Sequence, residues 1–263
     1  MLKRLLSLTV GLGLFGGFAG IVQGEEVAPL KVLMVAGGCC HDYAKQKTIL
    51  SEGISKRANI EFVIVHESTG KKHRNSAYTK EDWAKGFDAV LHNECYGDVR
   101  DDAFIESISQ AHKEGLAGVA LHCSAHSYRH AKTDEWRKFL GITSKRHGPK
   151  GGIKVDFKKA DHPILKGIEP FTTKEGELYT VLKVWDTATV LADGTRVNSQ
   201  DTQPLMWVNT YGEGKMFGTT LGHHNSTMSR DDYLDILTRG LLWACGKLND
   251  DGTIPEAYRA KAE

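Results

Sequence analysis

The chain has 263 residues, 40% hydrophobic and 25% charged, with 34 basic against 33 acidic side chains and a formal charge of +1. This is ordinary globular composition, long enough for one large domain or two small ones. The near-neutral balance excludes a chain that holds nucleic acid by charge, and its one basic run, Lys71-Lys72-His73-Arg74, reads as a solvated loop.

Residues 1–24 read as a leader. Lys3 and Arg4 precede an apolar stretch from Leu5 to Val22, and Val22-Gln23-Gly24 offers small residues before Glu25-Glu26, the pattern of a cleaved export signal. The rival reading is an uncleaved anchor, since the apolar run nears the roughly 20 residues of a spanning helix. Its glycines and small-residue exit favour cleavage. Cleavage leaves 32 basic and 33 acidic residues, a charge of −1, in a periplasmic or secreted domain without a stable membrane span.

Residues 31–122 alternate strand and helix. Lys31–Ala36 is a strand, and Ala44–Arg57 has helical spacing with Ile49, Leu50 and Ile54 on one side. Ile60–His66 is a second strand, Thr79 caps a short helix through Trp83, and Phe87–Leu91 is a third strand. Asp101–Glu114 carries Phe104, Ile105, Ile108 and Ala111 at helical spacing, and Gly115 ends it before a fourth strand, Leu116–Leu121. Such alternation, with continuous apolar strands, predicts a parallel sheet covered on both faces.

The pattern then changes. Thr133–Leu140 is a short helix, followed by strands at Gly152–Phe157, Thr187–Leu191, Pro204–Tyr211 and Lys215–Leu221, the last two joined by a turn at Tyr211-Gly212-Glu213-Gly214. Tyr233–Gly246 is a closing helix, and residues 249–263 form a polar, loosely held tail. With no internal repeat or Pro-rich linker, one domain over residues 25–248 with a β-rich extension fits better than two.

Four apolar runs stop at polar clusters: Gly37-Gly38-Cys39-Cys40-His41-Asp42, His92-Asn93-Glu94-Cys95-Tyr96, His122-Cys123-Ser124-Ala125-His126, and Gly222-His223-His224-Asn225. In open α/β sheets, ligands bind beyond the carboxyl ends of strands, so these residues form the candidate site. The glycines before His41-Asp42 let a substrate approach the backbone. Glu94 reads equally as an acid/base or as a helix cap. Which of His223 and His224 faces inward stays open; a functional role is favoured over a hydrogen-bonded structural one for His41, His122 and this pair, and the structural one for His126. Glu177-Leu178-Tyr179 reads most simply as a surface loop.

Imidazoles at several strand ends suit zinc or another divalent metal, with one carboxylate completing the shell. They suit equally a proton-transfer site on a neutral polar substrate. No local metal motif such as H-E-x-x-H decides between the two.

Five cysteines, an odd number, leave at least one thiol unpaired in an exported chain. Cys245 reads as a buried apolar residue on a helix. Cys39, Cys40, Cys95 and Cys123 sit at strand ends. In extended backbone the adjacent Cys39 and Cys40 point opposite ways, so at most one faces the site.

The order of these pieces resembles the ThuA-like (trehalose-utilisation) family. Matching segments are Lys31–Asp42, Gly118–Ala125, Asp161-His162-Pro163-Ile164 with Lys166-Gly167-Ile168, Glu177-Leu178-Tyr179, Pro204–Trp207, Tyr211–Lys215, Leu221-Gly222-His223 and Gly240–Ala244. The resemblance implies a flavodoxin-like, class I glutamine amidotransferase-like α/β fold and a role in sugar metabolism, including disaccharides oxidised to 3-keto sugars. Amidotransferase relatives carry a cysteine in G-x-C-x-G and a distant His-x-Glu. Here His122 takes the nucleophile's place in Ala120-Leu121-His122-Cys123-Ser124, and no glutamate stands two residues after His223. Both departures argue against glutaminase chemistry.

The resulting expectation is an exported protein acting on an oxidised (3-keto) sugar or glycoside by histidine acid/base or metal-assisted chemistry. His122, His223 and His41 are the catalytic or metal-ligating residues. Asp42, Glu94, Glu177, Tyr179, His126 and His224 contact substrate, and Glu177 can complete a metal shell. Trp207 reads as core rather than a stacking platform. The partner is a small carbohydrate; the sequence assigns no oligomeric state. The alternatives are a non-catalytic sugar-binding protein and a cysteine-dependent amidohydrolase.

Overall fold

The computed structural model describes residues 27–261. The export-signal reading of residues 1–24 lies outside them. Among the described residues nine strands form one sheet: β1 (Leu30–Gly38), β2 (Ile60–Glu67), β3 (Ala89–Cys95), β4 (Ala117–Leu121), β5 (Ile142–Phe157), β6 (Thr172–Val184), β7 (Ala188–Arg196), β8 (Thr202–Tyr211) and β9 (Gly214–Thr219). Their order is β2-β1-β3-β4-β9-β8-β7-β5-β6. The first five in that order pair in parallel and the rest antiparallel, so the expected α/β sheet with a β-rich second half is what forms.

Among the described residues the α-helices are α1 (Tyr43–Ser55), α2 (Asp102–Lys113), α3 (Glu135–Leu140), α4 (Asn225–Met228) and α5 (Asp231–Ala244). β1 shows why the sheet is covered on both faces. Val32 and Met34 join Leu50 and Ile54 of α1 and Leu237 and Leu241 of α5 in one core. Leu33 and Val35 join Ile105 and Ile108 of α2 and Trp136 and Phe139 of α3 in another. Side chains that alternate along a strand serve opposite faces, and burying both faces is the main stabilising term. Asp42 and Asp101 cap α1 and α2 by accepting from the amides of Lys45 and Phe104.

Several boundaries differ from the sequence reading. No helix spans Thr79–Trp83; a 3-10 turn covers Ser76–Tyr78 instead. β3 begins at Ala89 and runs through Cys95, so His92 and Glu94 lie within the strand. Their polarity is met by partners in the protein rather than by solvent or ligand. β5 begins at Ile142, well before Gly152, because pairing with β6 carries the Gly- and Pro-containing stretch 148–152 through a bulged ladder. Glu177 and Tyr179 therefore lie in β6, not in a loop.

The tail is also tied down. Arg259 bridges to Ala58, and the Asn59 amide donates to the Tyr258 carbonyl. Among the described residues no helix is long and apolar enough to cross a membrane.

Candidate functional site

Three parallel strands and one antiparallel ribbon build the site. β1 leads through Gly37 and Gly38 to Cys39, Cys40 and His41. β4 ends at Leu121, and the next residue, His122, holds a left-handed backbone, φ 45°. That strained turn aims its ring back over the strand ends. β9 leads through Gly222 to His223. A Cβ at Gly222 (φ +118°) would lie 2.9 Å from Met228 Cε and Tyr233 Oη, so only glycine delivers His223 here. The β5–β6 ribbon, with register shifts along its length, brings Glu177 and Tyr179 over the same place from one face of β6.

Donor atoms converge. His122 Nε2 lies 3.3 Å from His223 Nδ1 and 3.5 Å from Glu177 Oε2, and His223 Nδ1 lies 3.2 Å from the same carboxylate oxygen. One nitrogen of His41 joins His122 and His223 within 4.8 Å. The second nitrogen of His122, Nδ1, lies 2.7 Å from the Thr220 carbonyl. That carbonyl can only accept, so Nδ1 carries the proton and the Nε2 lone pair faces the cluster. Tyr179 Oη adds a contact to Nε2 at 3.3 Å. His41 Nδ1 is buried with no hydrogen-bond partner.

Electrostatics follow from burial. Burial, reinforced by His122 and His223, pushes the His41 imidazolium down to about 3. Burial likewise lowers His122, against the pull of Glu177. For Glu177 burial works upward, but hydrogen bonds and charge from His122 and His223 prevail and hold the carboxyl well below its ordinary range. The site thus packs three imidazoles around one carboxylate, a donor set that can hold a cation among its atoms.

Two cavities meet here. A deeper one of about 330 Å³ is lined by Glu177, Tyr179, His126 and His147, and by the rim residues Lys71, Arg129 and Lys150. A shallower cleft of about 410 Å³ is lined by Asp42, His224 and Asn225. Both share Cys40, His41 and His223.

The structure brings together His41, His122, His223, Glu177, Tyr179 and His126. His126 stacks on Tyr179, ring centroids 3.9 Å apart and planes 4° apart, and its Nε2 lies 2.9 Å from Ser144 Oγ. Burial, with Arg129 beside it, lowers His126 to about 3. Asp42 lines the shallow cleft while capping α1, and its Oδ2 accepts from Asn225 Nδ2 at 2.9 Å. His224 turns to Glu175 (3.2 Å), so His223 is the inward member of the pair.

Glu94 does not reach the cavity. It is fully buried against Tyr78 Oη (3.0 Å) and His92 Nδ1 (3.2 Å), and burial raises its carboxyl pKa. Trp207 is core, its indole donating to the Leu140 carbonyl at 2.6 Å. Sequence reasoning missed His147, whose Nε2 lies 3.5 Å from Glu177 Oε2, because it sits in a stretch that reads as a loop.

The cysteines form the wall. Cys39 and Cys40 are joined to each other, and Cys95 to Cys123. The adjacent pair does not point opposite ways because Cys40 has φ 84° and the backbone is not extended there. Cys245 is a free thiol on the far side, its pKa pushed up to about 12 by burial. With Cys123 in a disulfide, the site holds no cysteine nucleophile.

Residues 31–244 match the family described as ThuA, trehalose utilisation. The chain belongs to the ThuA family. No curated protein matches it. Among solved structures it is similar to a Bacteroides uniformis protein described as ThuA-like (15% identity, 88% of this chain and 95% of that one, TM-score 0.63). It is also similar to a Thermoplasma acidophilum protein described as a GMP synthase component (13%, 84% and 96%, TM-score 0.51). A third similarity is to a β-galactosidase of Bacillus circulans (16%, 84% of this chain but 32% of that one, TM-score 0.55). At these identities the likeness shows the fold, a glutamine amidotransferase-like α/β sheet. Family membership supports a carbohydrate-related role in general.

Proposed function

We propose that this protein is an exported carbohydrate-active enzyme that acts on an oxidised (keto) sugar or glycoside, with a divalent metal such as zinc held by His41, His122, His223 and Glu177. The observation that carries this reading is the convergence of those donor atoms. Tetrahedral zinc with bonds of about 2.0–2.2 Å sets its ligand atoms about 3.3 Å apart. His122, His223 and Glu177 already lie 3.2–3.5 Å apart. The Thr220 carbonyl behind His122 is the outer partner that fixes the tautomer of a metal-binding histidine.

Held by three of these donors with a fourth position open, the metal would supply a Lewis acid for a carbonyl oxygen. A keto group next to a C–H acidifies that proton, so the remaining need is a positioned base. His147, half exposed at the cavity and beside Glu177, is placed to take the proton and return it. Tyr179 and His126 form the stacked wall against which a sugar ring packs. From the enediolate left by proton abstraction, expulsion of a β-oxygen substituent gives elimination. Return of the proton to the neighbouring carbon gives isomerisation, and hydration is the elimination run backwards with water as the adding group.

Elemental analysis of the purified protein tests the reading. It expects near-stoichiometric zinc or another divalent ion, lost in His122→Ala. Metal absent from both proteins would overturn the metal and leave histidine acid/base chemistry, or sugar binding without turnover, to be separated by assays on keto-sugars.

A further inference from the structure

We propose that the deeper cavity takes a sugar bearing an anionic group, a carboxylate or a phosphate, selected by Lys71, Arg129 and Lys150. This inference rests on the metal-assisted sugar site above and adds its substrate class.

Three cations from three separate segments border one cavity: Lys71 from the loop after β2, Arg129 from the turn after His126, and Lys150 from β5. Among the described residues none of them forms an ion pair, whereas Arg57, Arg74, Arg137 and Arg230 each hold an aspartate. Glu177 is the one carboxylate lining the cavity, and its charge is already engaged by His122 and His223. The cavity therefore keeps an uncompensated positive field, which draws in and orients anions.

Arg129 sharpens the point. Its Nε is buried with no hydrogen-bond partner, while Nη1 reaches the Lys145 carbonyl at 3.3 Å. Beyond that contact the guanidinium holds no carboxylate among the described residues, and a carboxylate or phosphate oxygen in the cavity it lines would meet it with a charge-assisted bond. The shallower cleft on the other side of His41 and His223 contrasts with this. Asp42 lines it, and no lysine or arginine does. The asymmetry seats the anionic end of a ligand in the deep cavity and its uncharged remainder across His41 and His223.

The test is titration calorimetry of the zinc-loaded protein with glucuronate, glucose 6-phosphate and glucose, at low and high salt. We expect at least one anionic sugar to bind about tenfold or more tightly than glucose, with the margin shrinking as salt rises. Tighter binding of glucuronate assigns a carboxylate, tighter binding of glucose 6-phosphate a phosphate. The triple variant Lys71→Gln, Arg129→Gln, Lys150→Gln is expected to retain zinc and lose the margin. Should that variant fail to fold, Lys150→Gln alone, at an exposed side chain, is expected to reduce the margin. Zinc-loaded protein that binds all three sugars equally, or none, overturns this inference and leaves the metal site standing. A margin that survives in the variants also overturns it. Absence of zinc together with absence of sugar binding overturns both readings.

Discussion

His122 Nε2 and His223 Nδ1 lie 3.3 Å apart across 101 residues of chain, and Glu177 Oε2 is within 3.5 Å of each. Replacing Glu177 by Gln keeps the shape and removes the charge that three neighbouring imidazoles face. We expect zinc affinity to fall about tenfold or more, as loss of a ligating or orienting group typically does, with the far-ultraviolet spectrum unchanged. Zinc competition with a chromophoric chelator reads it; unchanged affinity would remove Glu177 from the shell.

Tyr179→Phe separates packing from polarity. The phenyl ring still stacks on His126, while the hydroxyl 3.3 Å from His122 Nε2 is lost. A hydrogen bond of this kind contributes about 0.5–1.5 kcal/mol. The variant should therefore keep its metal and lose turnover on a keto-sugar by a few-fold to about tenfold. A drop in zinc content with no change per bound zinc would count against this role.

At Gly222 the backbone itself is under test. Alanine there must hold φ +118° with its Cβ 2.9 Å from Met228 Cε and Tyr233 Oη. We expect a stability loss of about 1–3 kcal/mol, seen as a melting point several degrees lower, and weaker zinc binding because His223 is displaced. Wild-type melting and zinc affinity in Gly222→Ala would show that the turn tolerates a side chain.

Acid should destabilise the fold through a buried pair far from the cavity. His112 Nδ1 donates to the Leu116 carbonyl at 2.9 Å, so His92 Nε2 donates to His112 Nε2 at 3.0 Å, and both rings are neutral. Burial depresses His92 to about 3 and lowers His112 strongly. Unfolded imidazoles take up protons below about 6.5, where the folded ones do not. The contribution is thus fully present above about 6.5 and is lost as pH falls toward 3. Glu94, raised by burial, has the opposite sign and weakens the fold as pH rises past the ordinary carboxylate range. Urea midpoints should decline from pH 7 to pH 5, and less steeply in His112→Leu. A slope identical in both proteins would take the pair out of the account.

Thiol chemistry gives an independent check on the cavity wall. Non-reducing peptide mapping should recover Cys39 linked to Cys40 and Cys95 linked to Cys123, with Cys245 alkylated without prior reduction. Labelling of Cys123 in the native protein would reopen cysteine-dependent hydrolysis.

The parallel half of this fold was legible in the chain because its strands are buried on both faces and read as unbroken apolar runs between amphipathic helices. For the same reason the stops at His41, His122 and His223 stood out: a polar cluster ending an apolar strand has no local packing role. Tertiary structure alone decided the rest. Glu177, Tyr179 and His147 reach the site on a bulged antiparallel ribbon, and long-range pairing of that kind leaves little local signal. Glu94 and His92 looked like strand-end ligands but alternate onto a face where Tyr78 and His112 satisfy them. The orphaned Arg129 Nε and the choice of His223 over His224 depend on where distant backbone lies. A sequence specifies which side chains are polar; only packing decides whether their partners are protein, metal or substrate.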